Sequence, residues 1–397
     1  MKLDMAAKVT STAAVLYFFY YLCRLNYSFA LPFMQQEFHV SSAELGAIAT
    51  ALTLGYAVGQ LINGFMVDRR GPKIIMAVGG IASAVLNVLM GWNSVFGLFL
   101  LIWAANGYFQ AMGYPSSLRL IANWYSREDT RGMPLGINEG LQAAAQVVFV
   151  PVAALLAIVY GWRMIFIAPS ITLFAMSIIY YLSVKNSPQM ELPRRPILRD
   201  ALISYRKAFG NWRLDCAYLS YGFSQFIRYA LITWIPLYFY QASGQSIFKT
   251  ALFTTVLYVG GSVGSPLIGY LHDHYFTQRK WMLIAVSKSI LALATAVIGF
   301  ISTSNSLLII AVLMVCGVLN ESLAVAYFLT PVEIMGVEGS ATGVGCMNAV
   351  GKFVASLQGV LLGILIDLFG FNAAFVTAGL FSLGSAALIL PMKNNRK

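Results

Sequence analysis

Apolar stretches about as long as a membrane-spanning helix follow one another along nearly the whole chain, separated by short turns that carry Gly, Pro or charged residues. An α-helix rises by about 1.5 Å per residue, so about 20 apolar residues cross a hydrocarbon core of about 30 Å. The pattern therefore predicts an all-α membrane protein with twelve transmembrane helices. The predicted spans are 10–34, 44–67, 74–93, 95–122, 132–158, 162–184, 214–240, 249–271, 281–302, 306–330, 339–366 and 371–391.

Composition supports a membrane location, because 59% of the 397 residues are hydrophobic and only 10% are charged. A soluble protein carries roughly 25% charged residues. The first ten residues run directly into an apolar span without a small-residue cleavage site, which predicts a retained helix rather than a signal peptide. The four cysteines are isolated inside apolar segments, so we predict neither a metal site nor a cofactor.

The basic residues indicate the orientation, since Lys and Arg collect in cytoplasmic loops. With both termini in the cytoplasm, most of the 26 basic residues fall in inner loops or at inner helix ends, and only Arg163 and Lys249 fall in outer loops. We therefore predict a multi-pass protein of the inner (cytoplasmic) membrane with both termini inside. This topology explains the net charge of +11 without a nucleic-acid partner.

An internal repeat divides the chain. Arg24 precedes Pro32 by eight residues, and Arg228 precedes Pro236 by the same spacing 204 residues later. Transporters commonly bind substrate between such repeated halves, near the middle of the membrane. We therefore predict an N-terminal six-helix half, a cytoplasmic linker and a C-terminal six-helix half. Their predicted bounds are 1–184, 185–213 and 214–397.

The loop after the second span carries a motif with a recognisable spacing, G-x-x-x-D-R-x-G-x-K. It is formed by Gly64, Asp68, Arg69 and Gly71, and a reduced copy ends at Asp273 after the eighth span. An acidic side chain favours the positive N-terminal end of a neighbouring helix, while basic residues stay in the cytoplasm. We assign these five residues to gating. The motif resembles the signature loop of the major facilitator superfamily, whose fold has twelve helices in two related halves.

Two arginines lie near the middle of predicted spans, where a charge costs roughly 3 kcal/mol unless it is paired or solvated. Arg24 and Arg228 occupy equivalent positions in the repeat, so we predict that they face one another across a central cavity. Guanidinium forks suit phosphate and carboxylate, and a dianion would relieve the repulsion between them. The alternative is that a Glu or backbone carbonyls neutralise each Arg.

Three further charges lie deep in predicted spans. Lys352 is either a third cationic substrate contact or the partner of a Glu, and Glu139 and Glu321 are either proton carriers or members of ion pairs. Together with the two arginines they leave a net positive charge, which favours an anionic substrate. Lys288 lies nearer a span end, and we interpret it as snorkelling to the cytoplasmic surface.

Four segments resemble the organophosphate:phosphate antiporters, the bacterial glycerol-3-phosphate and hexose-phosphate exchangers and their eukaryotic relatives. The segments are YLCRLNYSFALPFM (21–34), LGYAVGQLINGFMVDRRGP (54–72), NGYFQAMGYPSSLRLIANWYSREDTRG (106–132) and FIRYALITWIPLYF (226–239). The resemblance implies that Arg24 and Arg228 hold the substrate phosphate. The glycerol-phosphate branch has a lysine where this chain has Gln60 and a histidine where it has Leu141.

Polar and aromatic residues near the two arginines are further candidates for substrate binding. They are Tyr27, Gln60, Gln110, Asn138 and Tyr229. Tyr is also a common packing residue, so an ordinary structural role is the alternative for the aromatic members.

These observations support a secondary active transporter of a small organic anion by alternating access, with organophosphate/phosphate antiport as the first hypothesis. A proton-coupled symporter of a carboxylate, amino acid or metal-chelating metabolite is the second. A membrane sensor built on a transporter fold is the third. An enzyme is not predicted, because no nucleophile–base constellation is evident. The expected partners are the anion, inorganic phosphate or protons, and the lipid bilayer, and we expect a monomer.

Overall fold

The computed structural model describes residues 2–125, 132–185, 187, 208–276, 279–301, 305–321 and 324–394. Side chains at 2–4, 68, 132, 273, 321, 324–325, 329, 332, 336–342 and 393–394 lie outside the described set. Within these ranges the secondary structure is helical and contains no strand. The predicted all-α class is therefore confirmed.

Seven helices form the first part of the chain. They are α1 (Lys2–Phe38), α2 (Ser42–Arg70), α3 (Pro72–Trp92), α4 (Phe96–Gln110), α5 (Gly113–Trp124), α6 (Gly132–Tyr160) and α7 (Met164–Ser183). The predicted span 95–122 is thus two helices, because the chain turns at Ala111 and Met112. The turn places Gly113 against the ring of Tyr17, where an added Cβ would lie 2.8 Å from a ring carbon.

Five helices follow. They are α8 (Trp212–Leu237), α9 (Ile247–Leu271), α10 (Lys280–Ile298), α11 (Ser306–Glu321) and α12 (Ala324–Ile389). Short π-helical turns, Tyr238–Ala242 and His272–Phe276, extend α8 and α9. Among the helices with described contacts, α12 packs on α8 and α10.

The 66 residues of α12 cannot form one straight rod across a membrane, since their length would be about 100 Å at about 1.5 Å per residue. An added Cβ on Gly343 would lie 2.6 Å from Cβ of Pro331, whereas a straight helix would separate these residues by about 18 Å. The chain therefore reverses between them, and it bends again at Gly370, where φ is +80°. These turns separate the tenth, eleventh and twelfth predicted spans.

Seven helices in the described part of the chain are long and apolar enough to cross a membrane. One of them, Gly343–Met392, has 50 residues and contains the bend at Gly370. α4 and α5 fall short of this length because their interruption leaves 15 and 12 residues.

Contacts between Cα atoms divide the chain into two compact units. Unit 1 comprises residues 1–30 and 51–196, and unit 2 comprises residues 31–50 and 197–397. Each unit has its own buried core, with Tyr20 and Met76 in unit 1 and Tyr327 and Met347 in unit 2. This division cuts α1 and α2, so residues 31–50 pack with helices of the second half of the sequence. The bounds predicted from the repeat remain a prediction.

Candidate functional site

Arg24 is buried on α1, with 9% of its surface exposed, and aromatic rings surround its guanidinium group. Its Cζ lies 4.1 Å from the ring centroid of Tyr21 and 5.3 Å from that of Tyr56. Tyr17 lies close enough to interact electrostatically with the guanidinium group, and Gln60 Nε2 donates to Tyr56 Oη over 3.2 Å. We call these five residues the Arg24 cluster; the whole cluster lies in unit 1.

Helical spacing brings the members of this cluster together. Residues three or four apart on a helix are neighbours, so Tyr17, Tyr21 and Arg24 share one face of α1, and Tyr56 and Gln60 share one face of α2. A cation over an aromatic face is stabilised by the ring quadrupole, by roughly 0.5–2 kcal/mol depending on desolvation. The cluster therefore places a buried cation against two aromatic rings, one of which is hydrogen-bonded to an amide group.

In unit 2, Lys352 and Tyr229 form a direct contact. Lys352 Nζ donates a hydrogen bond of 2.8 Å to Tyr229 Oη and lies 4.6 Å from the centroid of the same ring. Lys352 is buried, and Arg228, next to Tyr229 on α8, is half-buried. The structure thus brings together two residues that the sequence predicted separately for the site. The side chain of Glu321, a predicted partner for Lys352, lies outside the described residues.

Three other predicted contacts are built into helix packing. Gln110 Nε2 donates to the backbone oxygen of Tyr20 over 3.0 Å and to Ser83 Oγ over 2.9 Å. Asn138 accepts a 2.7 Å hydrogen bond from Ser117, and the ring of Tyr27 lies 5.8 Å from that of Trp103. The described contacts of these residues join helices, and their role in substrate binding remains a prediction.

A buried polar network that the sequence reasoning missed lies beside Arg24. Asn26 Nδ2 donates to Asn87 Oδ1 over 2.7 Å, and Ser83 Oγ donates to Asn106 Oδ1 over 2.7 Å. Asn106 Nδ2 in turn donates to the backbone oxygen of Cys23 over 3.4 Å. The network ties α1 to α3 and α4 at the level of Arg24, so it fixes the rotation of α1. The available signal was the set of Asn and Ser residues inside otherwise apolar spans.

The structure describes the surroundings of two further deep charges; the role of Glu139 as a proton carrier or ion-pair member remains a prediction. Glu139 is exposed on α6, and its Oε1 lies 3.5 Å from Nδ2 of Asn138. Lys288 has 0% of its surface exposed. The snorkelling interpretation of Lys288 is therefore wrong, because packing in unit 2 encloses the side chain and keeps it from the surface.

The motif loop between α2 and α3 is a single residue, Gly71. Its φ of +86° and ψ of +150° suit only glycine, and its N–H closes α2 by donating to the backbone oxygen of Val67 over 2.9 Å. Arg69 lies over the ring of Phe65 at 5.6 Å, and nothing lies within 4 Å of a Cβ added to Gly64. The side chains of Asp68 and Asp273 lie outside the described residues, so the gating role of this loop remains a prediction.

Residues 13–359 match the model of the Major Facilitator Superfamily. The chain belongs to this superfamily. It is therefore a multi-pass membrane transporter and not an enzyme, and the predicted fold class is confirmed.

The chain is 26% identical to the glycerol-3-phosphate transporter of Bacillus subtilis, over 90% of this chain and 85% of the relative. It is also 26% identical to the "Probable sulfoacetate transporter SauU" of Cupriavidus necator, over 96% and 92%. A bacterial homologue of the human lysosomal transporter Spinster, solved inward-facing and occupied, superposes with a TM-score of 0.80 at 14% identity. That match covers 98% of this chain and 96% of the other, and it supports the fold alone.

Proposed function

We propose that this protein exchanges an organic phosphate for inorganic phosphate by alternating access, in a bacterial inner membrane and as a monomer with both termini in the cytoplasm. The observation that carries the proposal is the Arg24 cluster. A buried guanidinium held between ring faces is oriented in advance, and its planar fork matches two phosphate oxygens. The name of the Bacillus relative as a glycerol-3-phosphate transporter and the resemblance around Arg24 support the same substrate class.

The second half of the chain contributes the matching cation in this proposal. Arg228 stands 204 residues after Arg24, at the equivalent position of the repeat. Lys352, hydrogen-bonded to Tyr229 one residue further on, adds a positive charge to the same region of unit 2. Several cations in a low-dielectric setting favour a dianion over a monoanion, because each added negative charge is attracted by all of them.

A second candidate is proton-coupled symport of a carboxylate or sulfonate. The Cupriavidus relative, named for sulfoacetate, favours it, as does Gln60 in place of the lysine of the glycerol-phosphate branch. Glu139 or Glu321 would carry the proton in this mechanism.

Exchange of phosphate for phosphate in liposomes tests the first candidate without knowledge of the organic group. We expect purified protein in phosphate-loaded vesicles to take up radiolabelled external phosphate with no proton gradient, and glycerol 3-phosphate, glucose 6-phosphate or phosphoglycerate to compete. Uptake that requires internal phosphate and survives a protonophore supports antiport. Flux of an organic anion that collapses with the protonophore supports symport instead. Ligand-dependent thermal stabilisation without any flux would indicate a sensor.

A further inference from the structure

The carboxylate of Asp367, late in α12, accepts hydrogen bonds from two backbone N–H groups in the first turn of α2. Oδ1 accepts from Ser42 N over 2.9 Å, and Oδ2 accepts from Ala43 N over 2.8 Å. The first N–H groups of a helix have no partner inside the helix, and a negative charge is favourable there. Asp367 therefore caps a helix that begins 325 residues earlier in the chain.

The same helix end also has a cap of its own. Glu44 Oε2 accepts from Ser41 N over 2.8 Å, and Ser41 Oγ accepts from Glu44 N over 3.2 Å. This reciprocal pair is a capping box. Together the two carboxylates and the Ser41 hydroxyl satisfy the N–H groups of residues 41–44, and only the contribution of Asp367 comes from another helix.

Close backbone packing continues below the cap. A Cβ on Gly46 would overlap the backbone oxygen of Gly359, and a Cβ on Gly359 would overlap that of Gly46. One turn further, Thr50 Oγ1 donates to the backbone oxygen of Ser356 over 2.6 Å. Small residues at such a crossing let two helices approach closely without interlocking side chains. We name residues 42–50 and 356–367 the latch.

The latch lies wholly within unit 2, yet α2 continues into unit 1 after Thr50. It is therefore one place where a helix of the first half of the sequence is held by a helix of the second half. Alternating access rocks one repeat against the other, so such a contact would break and re-form in every cycle. We infer that Asp367 is a gating residue whose release of the Ser42 and Ala43 amides opens the latch, an inference that depends on the transport mechanism proposed above.

The chemistry of the latch suits repeated opening. Asp367 is exposed, so water can replace its two partners when the helices separate. The glycine faces leave no interdigitated side chains to withdraw. Removing a helix cap costs about 1.4 kcal/mol, which changes an equilibrium constant about tenfold. Loss of the Asp367 carboxylate is therefore expected to raise the ratio of open to closed latch about tenfold.

Pulsed electron paramagnetic resonance distances test the inference directly. Spin labels at Gln36 and Lys249, both exposed in unit 2, report whether residues 31–50 stay with that unit after the native cysteines are replaced by alanine. Asp367→Ala removes both acceptors of the cap, so it is expected to raise the population of long distances relative to short distances about tenfold. The matched control, Glu44→Gln, removes a charge from the same helix end without touching α12 and is expected to leave the distances unchanged.

A second variant acts on the latch independently of capping. Gly359→Ala places a Cβ where the backbone of Gly46 lies, so it is expected to populate the long distances most. Unchanged distances in Asp367→Ala, or an equal shift in Glu44→Gln, would overturn the inference even if Gly359→Ala shifts them. The distances are measured without substrate, so failure of phosphate exchange would contradict the proposed function and leave this result intact.

Discussion

Arg24 and Arg228 stand at equivalent positions of the repeat, but the residues three positions before them differ in kind. Tyr21 presents its ring face to Arg24, whose Cζ lies 4.1 Å from the ring centroid. At the equivalent position the second half has Gln225, which donates a 2.5 Å hydrogen bond to Tyr221. The duplicated halves thus share an arginine, while an aromatic residue precedes it in one half and a hydrogen-bonding amide precedes it in the other.

The largest expected effect comes from removing either cation. Arg24→Ala and Arg228→Ala should each lower phosphate exchange about a hundredfold or more, because truncating one partner of a buried charge pair costs roughly 2–5 kcal/mol. Arg→Lys should restore little, since the bidentate fork is lost. Exchange rates in liposomes measure both changes. Lys249→Ala, which removes an exposed cation, serves as the control. Near-normal exchange in Arg24→Ala or Arg228→Ala would contradict the prediction that both halves contribute an essential cation.

A smaller effect is expected from removing Lys352, the buried cation that contacts Tyr229 in unit 2. Lys352→Met should raise the KM for organic phosphate about tenfold and change kcat less, because a charge-assisted contact contributes roughly 1.5–3 kcal/mol. Tyr229→Phe keeps the ring below the ammonium group and should have a weaker effect. Saturation kinetics of exchange provide the test. An unchanged KM together with lower thermal stability would assign Lys352 to packing.

The smallest effect is expected at Tyr56 in unit 1. Two variants of this residue distinguish the contribution of its ring from that of its hydroxyl group. Tyr56→Leu should weaken substrate binding roughly three- to fivefold. The Cζ atom of Arg24 lies 5.3 Å from the ring centroid, near the outer limit of about 6 Å for a cation–π contact, so we expect this contact to contribute only about 0.5–1 kcal/mol. Tyr56→Phe retains the ring and should stay within about twofold of the parent. Titration of the purified variants with phosphate and organic phosphates measures the difference. Equal losses in both variants would show that the hydrogen bond with Gln60 matters more than the ring.

Much of this fold can be predicted from the sequence, because each span must be apolar over about 20 residues to cross the hydrocarbon core. Apolar length and the placement of Lys and Arg predicted the helices, and the family match confirms the fold. The interruption at Ala111 was not predicted. It brings Gly113 against Tyr17, and a contact between residues so distant in the sequence is not visible in the apolar pattern.

The candidate site was less accessible to sequence reasoning. Charge in an apolar span identified Arg24 and Lys352, since few other roles justify the cost of a buried cation. The direction in which a side chain points depends on helix rotation, which apolar periodicity defines poorly when a helix contacts both protein and lipid. The Lys288 side chain was therefore wrongly predicted to reach the surface, and the network of Asn26 and Asn87 was missed. Similarly, the contact of Asp367 with Ser42 joins residues whose sequence neighbourhoods give no hint of one another.

The continuity of α2 has a consequence for how the chain is built. The first nine residues of this helix, 42–50, are about 13 Å long and belong to unit 2, and the next twenty, 51–70, are about 30 Å long and belong to unit 1. A single residue, Gly71, separates α2 from α3, so the start of α3 is fixed closely by the end of α2.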